Sequence, residues 1–326
     1  MTKKIHIPHN IGMLAMSAVL TAGLYSCEYK DLEEEGTIPT SLILNFDFAN
    51  VDSIPSDYWV AFYPADANAA HANGPFLREI NDTVAVINGL PAGIYSVTAW
   101  NKFLEHTHVE ITSDRSKMYS VANNYFSTSE TPIKVLDSIY YNQPIMDTPD
   151  FMIHANRENF VLLQNNGENQ FLTLKADSMV VTVEYKLGGI KNLGLVRQLR
   201  SAMNNVAKYR YLAYDNLTRD TCTIMFDSQF DANAETVYGK FYVFGVEPTE
   251  LQNLSHKMVM FFWLRGNNIF VPIDITKAFA NYDKNNKRFV IDIPDINIDL
   301  ADYIPQSGNF DVNVNSWEDV EIEVTW

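Results

Sequence analysis

Apolar and polar positions alternate along most of this chain. In SLILNFDF the residues Leu42, Leu44, Phe46 and Phe48 alternate with Ile43, Asn45 and Asp47, the pattern of a strand with one buried face. YWVAFYP is a second apolar run, closed by Pro64. TVAVINGLPAGIYSVTAWN predicts two more strands, Thr83 to Ile87 and Ile94 to Asn101, with Asn88-Gly89 and Pro91-Ala92-Gly93 supplying the turn chemistry between them. FVLLQNNGENQFLTLKA repeats the device around NNGENQ.

A second series opens at SMVVTVEYKL. It continues through TCTIMFDSQF, TVYGKFYVFGV, HKMVMFFWLRGNNIFVPIDI, with RGNN as a hairpin turn, and KRFVIDIPDI. In the closing VEIEVTW, Val320, Ile322, Val324 and Trp326 face one way and Glu321, Glu323 and Thr325 the other. Helical spacing occurs in one place, LVRQLRSAMNNVAKY, where Leu195, Leu199, Met203 and Val206 predict a helix. Short strands with turn signals argue for an all-β fold of antiparallel sandwiches, and the length suits two domains. The polar KADS, Lys175 to Ser178, is the expected seam, giving sandwiches over 41–176 and 177–326.

The first residues depart from this pattern. Lys3 and Lys4 precede the apolar IGMLAMSAVLTAG, which is too short to span a bilayer. A basic start, a short apolar middle and small residues before a boundary predict a secretory signal over 1–26. The boundary LYSC, Leu24 to Cys27, resembles the bacterial lipobox, in which the cysteine is acylated and becomes the first mature residue. Residues 27–40 then form an acidic tether whose Glu28, Asp31, Glu33, Glu34 and Glu35 repel one another and cannot enter a core. It resembles the acidic export signal of surface-exposed lipoproteins in the Bacteroidetes. Outer-membrane lipid, reached through acylated Cys27, is thus an expected partner, and the expected location is the cell surface.

A net charge of -16 argues against nucleic acid or anionic lipid as a partner of the folded part. Beyond Cys27 the sequence holds only Cys222, so no disulfide can form within the mature chain, and stability must come from buried apolar area.

The sequence assembles no nucleophile, base and oxyanion donor, and no phosphate-cradling loop or C-x-x-C, so it reads as a non-enzyme without a cofactor. His106, His108 and Glu110 in EHTHVE share one strand face and could hold a metal, although any exposed polar face gives the same pattern. Asp292, Asp295, Asp299 and Asp302 lack the glycine turn of a calcium loop and read as solvated strand edges. Tyr209, Tyr211 and Tyr214 read as sandwich filling, although exposed aromatics can stack on sugars.

Taken with the lipobox and acidic tail, VAFYPAD (Val60 to Asp66), LPAGIYSVTAWN (Leu90 to Asn101) and WEDVEIEV (Trp317 to Val324) resemble the fimbrillin-related surface lipoproteins of the Bacteroidetes, in particular the fimbrial anchor and accessory proteins. The resemblance implies two transthyretin-like β-sandwich domains, a lipid anchor in the outer membrane and a role in pilus attachment or adhesion, with a fimbrial subunit as partner. Polymerising members of that family lose their first strand to a trypsin-like cut. Here no Lys or Arg lies between Lys30 and Arg78, so the strand Ser41 to Asn50 cannot be released in that way. That favours an anchor or independent adhesin over a stalk subunit, with strand addition at a sheet edge as a means of contact. Bacteria of this group glycosylate surface proteins at D-S/T-apolar triplets, which implicates Ser53, Thr83, Ser138 and Ser178, the last at the seam being the best placed for access. The alternative is a glycan-binding outer-membrane lipoprotein. It would need an exposed aromatic row drawn from Trp59, Trp100 or Trp263, which lie in apolar runs and read as core.

Overall fold

Where the alternation is bounded by turn residues, the chain forms strands. The structure, a computed structural model, describes residues 41–65, 74–125, 143–164, 168–246, 255–264, 268–304 and 318–319. The strands up to the expected seam are β1 (Leu42–Asn50), β2 (Tyr58–Pro64), β3 (Phe76–Ile80), β4 (Val84–Ile87), β5 (Gly93–Asn101), β6 (Thr107–Glu110), β7 (Tyr119–Ala122), β8 (Ile145–Asp147), β9 (Ile153–Leu162) and β10 (Gln170–Ser178). Beyond it come β11 (Val181–Leu187), β12 (Ile190–Lys191), β13 (Gln198–Ala207), β14 (Tyr209–Tyr211), β15 (Thr221–Asp227), β16 (Gln229–Asp231) and β17 (Thr236–Val243). The last six are β18 (Lys257–Trp263), β19 (Asn268–Asp274), β20 (Tyr282–Asp283), β21 (Arg288–Ile293), β22 (Ile298–Asp299) and β23 (Glu318–Asp319).

The first seven-stranded sheet runs β3-β2-β5-β9-β10-β1-β4. It curls over on itself: Phe46 of β1 stacks on Tyr58 of β2 at 4.7 Å between ring centroids, although three strands separate them in the sheet. Leu42, Leu44, Val60, Phe62, Val97, Leu172 and Leu174 fill the enclosed core. The expected alternation in β1 holds, with Leu42 and Leu44 fully buried. The NGLPAG segment does not close a hairpin. It carries the chain from edge strand β4 to β5 in the middle of the sheet, turning on Gly89 at φ 74°.

A second sandwich packs the five-stranded sheet β16-β17-β11-β21-β20 on the six-stranded sheet β23-β19-β18-β13-β15-β8. Phe226 and Phe241 stack across it at 3.7 Å. The RGNN hairpin is present to the extent that β18 and β19 pair antiparallel from Lys257↔Asp274 to Trp263↔Asn268; residues 265–267 lie outside the described residues. Of the closing strand, Glu318 and Asp319 are described, paired parallel to β19.

The helix expected at 195–209 is instead the strand β13. Leu199, Met203 and Val206 do face one core, but along a strand. A β-bulge between Met203 and Val206, with Asn205 at φ 56°, inserts one residue and returns Val206 to the face of Met203. Ala202 is buried in a second cluster on the opposite face, so both sides of the strand are apolar and the period of two is masked.

Most ladders are antiparallel. The parallel ones join distant parts of the chain: β1 with β10, β11 with β21, β8 with β15, β12 with β22, and β19 with β23. β8 therefore lies before residue 177 yet extends the six-stranded sheet, and β14 lies after it yet pairs with β7 in the small sheet β14-β7-β6.

Candidate functional site

The strand exchange brings together charges that are remote in sequence. His154 ends up beside Asp215, Arg210 and Lys287, where β9, β10, β14 and the approach to β21 converge. Arg210 Nε lies 2.6 Å from Asp215 Oδ1 as an ion pair, and its guanidinium donates to the carbonyls of Met179 and Phe244, each at 2.9 Å. Lys287 Nζ stands 2.9 Å from Asp177 Oδ2 and 3.4 Å from Asp215 Oδ2, and also donates to the carbonyl of Ser178. His154 Nε2 lies 3.5 Å from Asp215 Oδ1, while Nδ1 lies 3.3 Å from the carbonyl oxygen of Leu212. Arg210 and His154 are buried. Burial works to raise the Asp215 carboxyl, but His154, Arg210 and Lys287 outweigh it and hold the group below the ordinary carboxylate range. Burial pushes the His154 imidazole down, against the opposing pull of Asp215.

His154, Asp177 and Asp215 could each offer a ligand atom within 4.8 Å of the others. A metal would have to displace cations already in place, because Arg210 and Lys287 answer both carboxylates. The chemistry of the donor set fits an ionic lock across the join, in which each buried charge has a partner of opposite sign.

The sequence-predicted residues lie elsewhere. His106, His108 and Glu110 are all exposed, His108 and Glu110 on one side of β6 and His106 in the bend before it. They do not converge: His106 Nδ1 lies 3.9 Å from Asp147 Oδ2, and His108 Nδ1 lies 3.4 Å from Asn123 Oδ1. Of the four C-terminal aspartates, Asp292, Asp295 and Asp302 are exposed, and Asp299 accepts from Ala301 N at 2.9 Å and from Asn192 Nδ2 at 2.5 Å. Ser53 and Thr83 are exposed in loops. Ser178 is half-buried, its hydroxyl donating to the Val180 carbonyl at 2.8 Å, which makes it less accessible than its place at the seam suggested. Ser138, Cys27, Glu28, Asp31, Glu33, Glu34 and Glu35 lie outside the described residues. Trp100 is buried and Trp59 and Trp263 half-buried, so these three form no exposed row.

A cleft of about 520 Å³ opens beside β6, β7 and β14, lined among others by His108, Tyr119, Asn123, Asp147, Lys208 and Tyr209. The rings of Tyr119 and Tyr209 meet at 5.0 Å, and Tyr211 meets both edge-on. Burial raises the Asp147 carboxyl, with His106 and Arg200 opposing. Sequence reasoning noted Tyr209 and Tyr211 but had no signal for Tyr119, since the ladder that places it, Tyr209↔Val121 to Tyr211↔Tyr119, joins residues far apart in sequence.

The family described as "Domain of unknown function (DUF5119)" matches residues 26–227. No curated protein matches the sequence. Among solved structures, a candidate adhesin from Bacteroides ovatus ATCC 8483 superposes with a TM-score of 0.58 at 14% identity, covering 79% of this chain and 94% of that one. The fimbrial anchor protein Mfa2 from Porphyromonas gingivalis gives a TM-score of 0.46 at 12% identity, over 78% of this chain and 91% of its own. Candidate polysaccharide-binding proteins from Bacteroides thetaiotaomicron VPI-5482 give 0.48 at 10% identity, over 78% and 89%.

Proposed function

This chain belongs to the DUF5119 family, and we propose that it is a lipid-anchored fimbrial anchor or accessory adhesin of the cell surface, acting by protein–protein contact and transmitting tension between membrane and partner. Cys27, acylated, ties it to the outer membrane, and Glu28, Asp31, Glu33, Glu34 and Glu35 direct it to the surface. The partner is a fimbrial subunit, engaged at a sheet edge. The sandwich fold shared with the B. ovatus candidate adhesin supports this reading.

One observation carries it. The tether enters at Ser41 and becomes β1, which runs parallel to β10 in six consecutive registered pairs from Leu42↔Gln170 to Asp47↔Lys175. β10 leaves at its opposite end, through Met179 and Val180, into β11 of the second sandwich. A pull on Cys27 against a partner held farther along the chain therefore acts along two parallel neighbours in opposite directions. Their hydrogen bonds are loaded in shear and must yield together, unlike a hairpin peeled one bond at a time. Antiparallel β4 braces β1 on its other side, from Leu42↔Ile87 to Asn45↔Val84. This arrangement suits a protein under tension at its anchor.

Surface proteolysis and pull-down on intact cells, comparing wild type with Cys27→Ala, test the proposal. Wild type should be accessible and retrieve a fimbrillin-like subunit, and the variant should release both to the medium. A shielded protein that the substitution leaves unchanged would sink it.

A second reading, glycan binding, is favoured by the tyrosine- and asparagine-lined cleft, whose rings and amides suit a neutral sugar. Its check is a glycan array with Tyr209→Ala as control: a flat result, or signals the substitution leaves intact, removes it.

A further inference from the structure

Five neighbouring strands of the seven-stranded sheet each place an apolar side chain on its outer face at the same end. Ile94 of β5 is registered opposite Val161 of β9. Ile43 of β1 is registered opposite Phe171 of β10 on one side and Val86 of β4 on the other. The flanking Leu42, Leu44, Tyr95, Leu162, Leu172 and Ile87 turn inward to the core, so all five point outward. Phe171 is 66% exposed and Val86 60%. Val86, Ile43 and Phe171 form a row about 10 Å wide at the usual spacing between strands, with the Ile94–Val161 pair beside it; β9 and β10 are themselves registered at the other end, Ile153–Ala155 with Ala176–Ser178. Leu163, just past β9, and Val84 extend it.

The row sits at the tether end. Ile43 is the second residue of β1, and residues 28–40 between it and Cys27 reach at most about 45 Å when extended. β10 runs away from this pole toward the second sandwich. The segments that carry the row, 41–44, 84–94 and 160–173, contain one charged residue, Glu168, in a chain that is 20% charged overall. An apolar row on nearly uncharged segments fits a surface that would repel the acidic remainder of the molecule.

A second copy fits less well. The exposed apolar area is on the order of 500 Å², short of the roughly 800 Å² per partner that a stable interface buries. Self-association would also bring two chains of charge -16 together. A bilayer asks for less, since the anchor already holds the pole close and a single acyl chain gains from a second apolar contact.

We infer that this row is a membrane-seating surface, in which Ile43, Val86, Ile94, Val161 and Phe171 rest in the interfacial layer of the bilayer that holds the anchor. The inference rests on the acylation of Cys27 proposed above.

The test uses the full acylated chain in phosphatidylethanolamine–phosphatidylcholine vesicles, with an environment-sensitive NBD label on Phe171→Cys. Val86→Cys serves as a second probe should the first variant fold poorly, and Val290→Cys, on the five-stranded sheet, serves as the remote control. Buried Cys222 stays unlabelled in the native chain. Emission at 171 and 86 should rise about twofold or more on transfer from detergent-free solution to vesicles, with position 290 unmoved, as expected for side chains entering the interfacial layer. The mass of Cys27 is read on the same sample. Acylated protein with no change at 171 and 86, or with an equal change at 290, overturns the seating alone. Absence of the acyl mass overturns the anchor reading and the seating with it. A dimer that Phe171→Asp dissolves overturns the seating in favour of a second copy.

Discussion

His154 and Asp215 meet across the join between the two sandwiches, the imidazole Nε2 3.5 Å from the carboxylate Oδ1 and the ring almost fully buried. Burial holds His154 below its ordinary value despite the carboxylate. The unfolded chain therefore takes up a proton near pH 6.5 that the folded chain refuses, and stability declines as pH falls from about 6.5. The urea midpoint should fall between pH 7 and pH 5, and His154→Gln should remove about half of that fall. His256, buried and shifted down by burial, keeps the remainder. Equal falls in variant and wild type would mean that Asp215 keeps His154 protonated in the folded state. The depressed Asp215 works in the same direction at lower pH: its contribution is present above about pH 4 and lost as its folded-state value is crossed.

Asp215→Asn should cost about 2–4 kcal/mol in chemical denaturation at pH 7, because it leaves buried Arg210 without its carboxylate partner. Asn tolerates the left-handed backbone at this position, φ 55°, so the loss reports charge and not strain. Asp177→Asn, at the more exposed partner, should cost about 1 kcal/mol or less. Similar losses at the two positions would contradict the lock as described.

Pulling geometry should decide mechanical strength. Force applied between residue 41 and a point beyond Val181 loads β1 against β10 in shear, whereas force applied at Gln170 and residue 41 opens the same ladder from its end. Single-molecule extension should show the higher rupture force for the first geometry. Equal forces would remove the argument from the anchor reading.

Gly188 separates structural from incidental glycines. A Cβ there would stand 2.2 Å from the Pro294 carbonyl oxygen, a backbone atom that cannot swing aside. Gly188→Ala should lose about 2–3 kcal/mol. Gly194→Ala, with nothing within 4 Å, should change stability by less than about 0.5 kcal/mol.

Cys222 is fully buried, and burial pushes its thiol up to about 12. In the Cys27→Ala chain a thiol reagent at pH 8 should label it only as fast as the protein opens, so labelling should accelerate in urea in step with unfolding. Immediate labelling in buffer would show that the six-stranded sheet opens locally.

Strands whose two faces differ were legible, as Leu42 and Leu44 against Ile43 show. β13 was not, because both of its faces are apolar and its bulge at Asn205 moves Val206 into step with Met203 and Leu199, a spacing that imitates a helix. Of EHTHVE, His108 and Glu110 lie in β6 while His106 precedes it, and His106 and His108 turn to different partners. The ionic lock left no local trace, since residues 154, 177, 210, 215 and 287 are united only by the exchange of strands.

That exchange also sets a timetable. A chain emerges from synthesis N-terminus first, and each strand must wait for its neighbour. β1 waits for β10, β7 for β14, and β8 for β15, which ends at Asp227. Such distant pairings close slowly because the intervening loop must be ordered first. The early part of this protein thus cannot complete its pairings until the chain has reached Asp227, well past the end of β10.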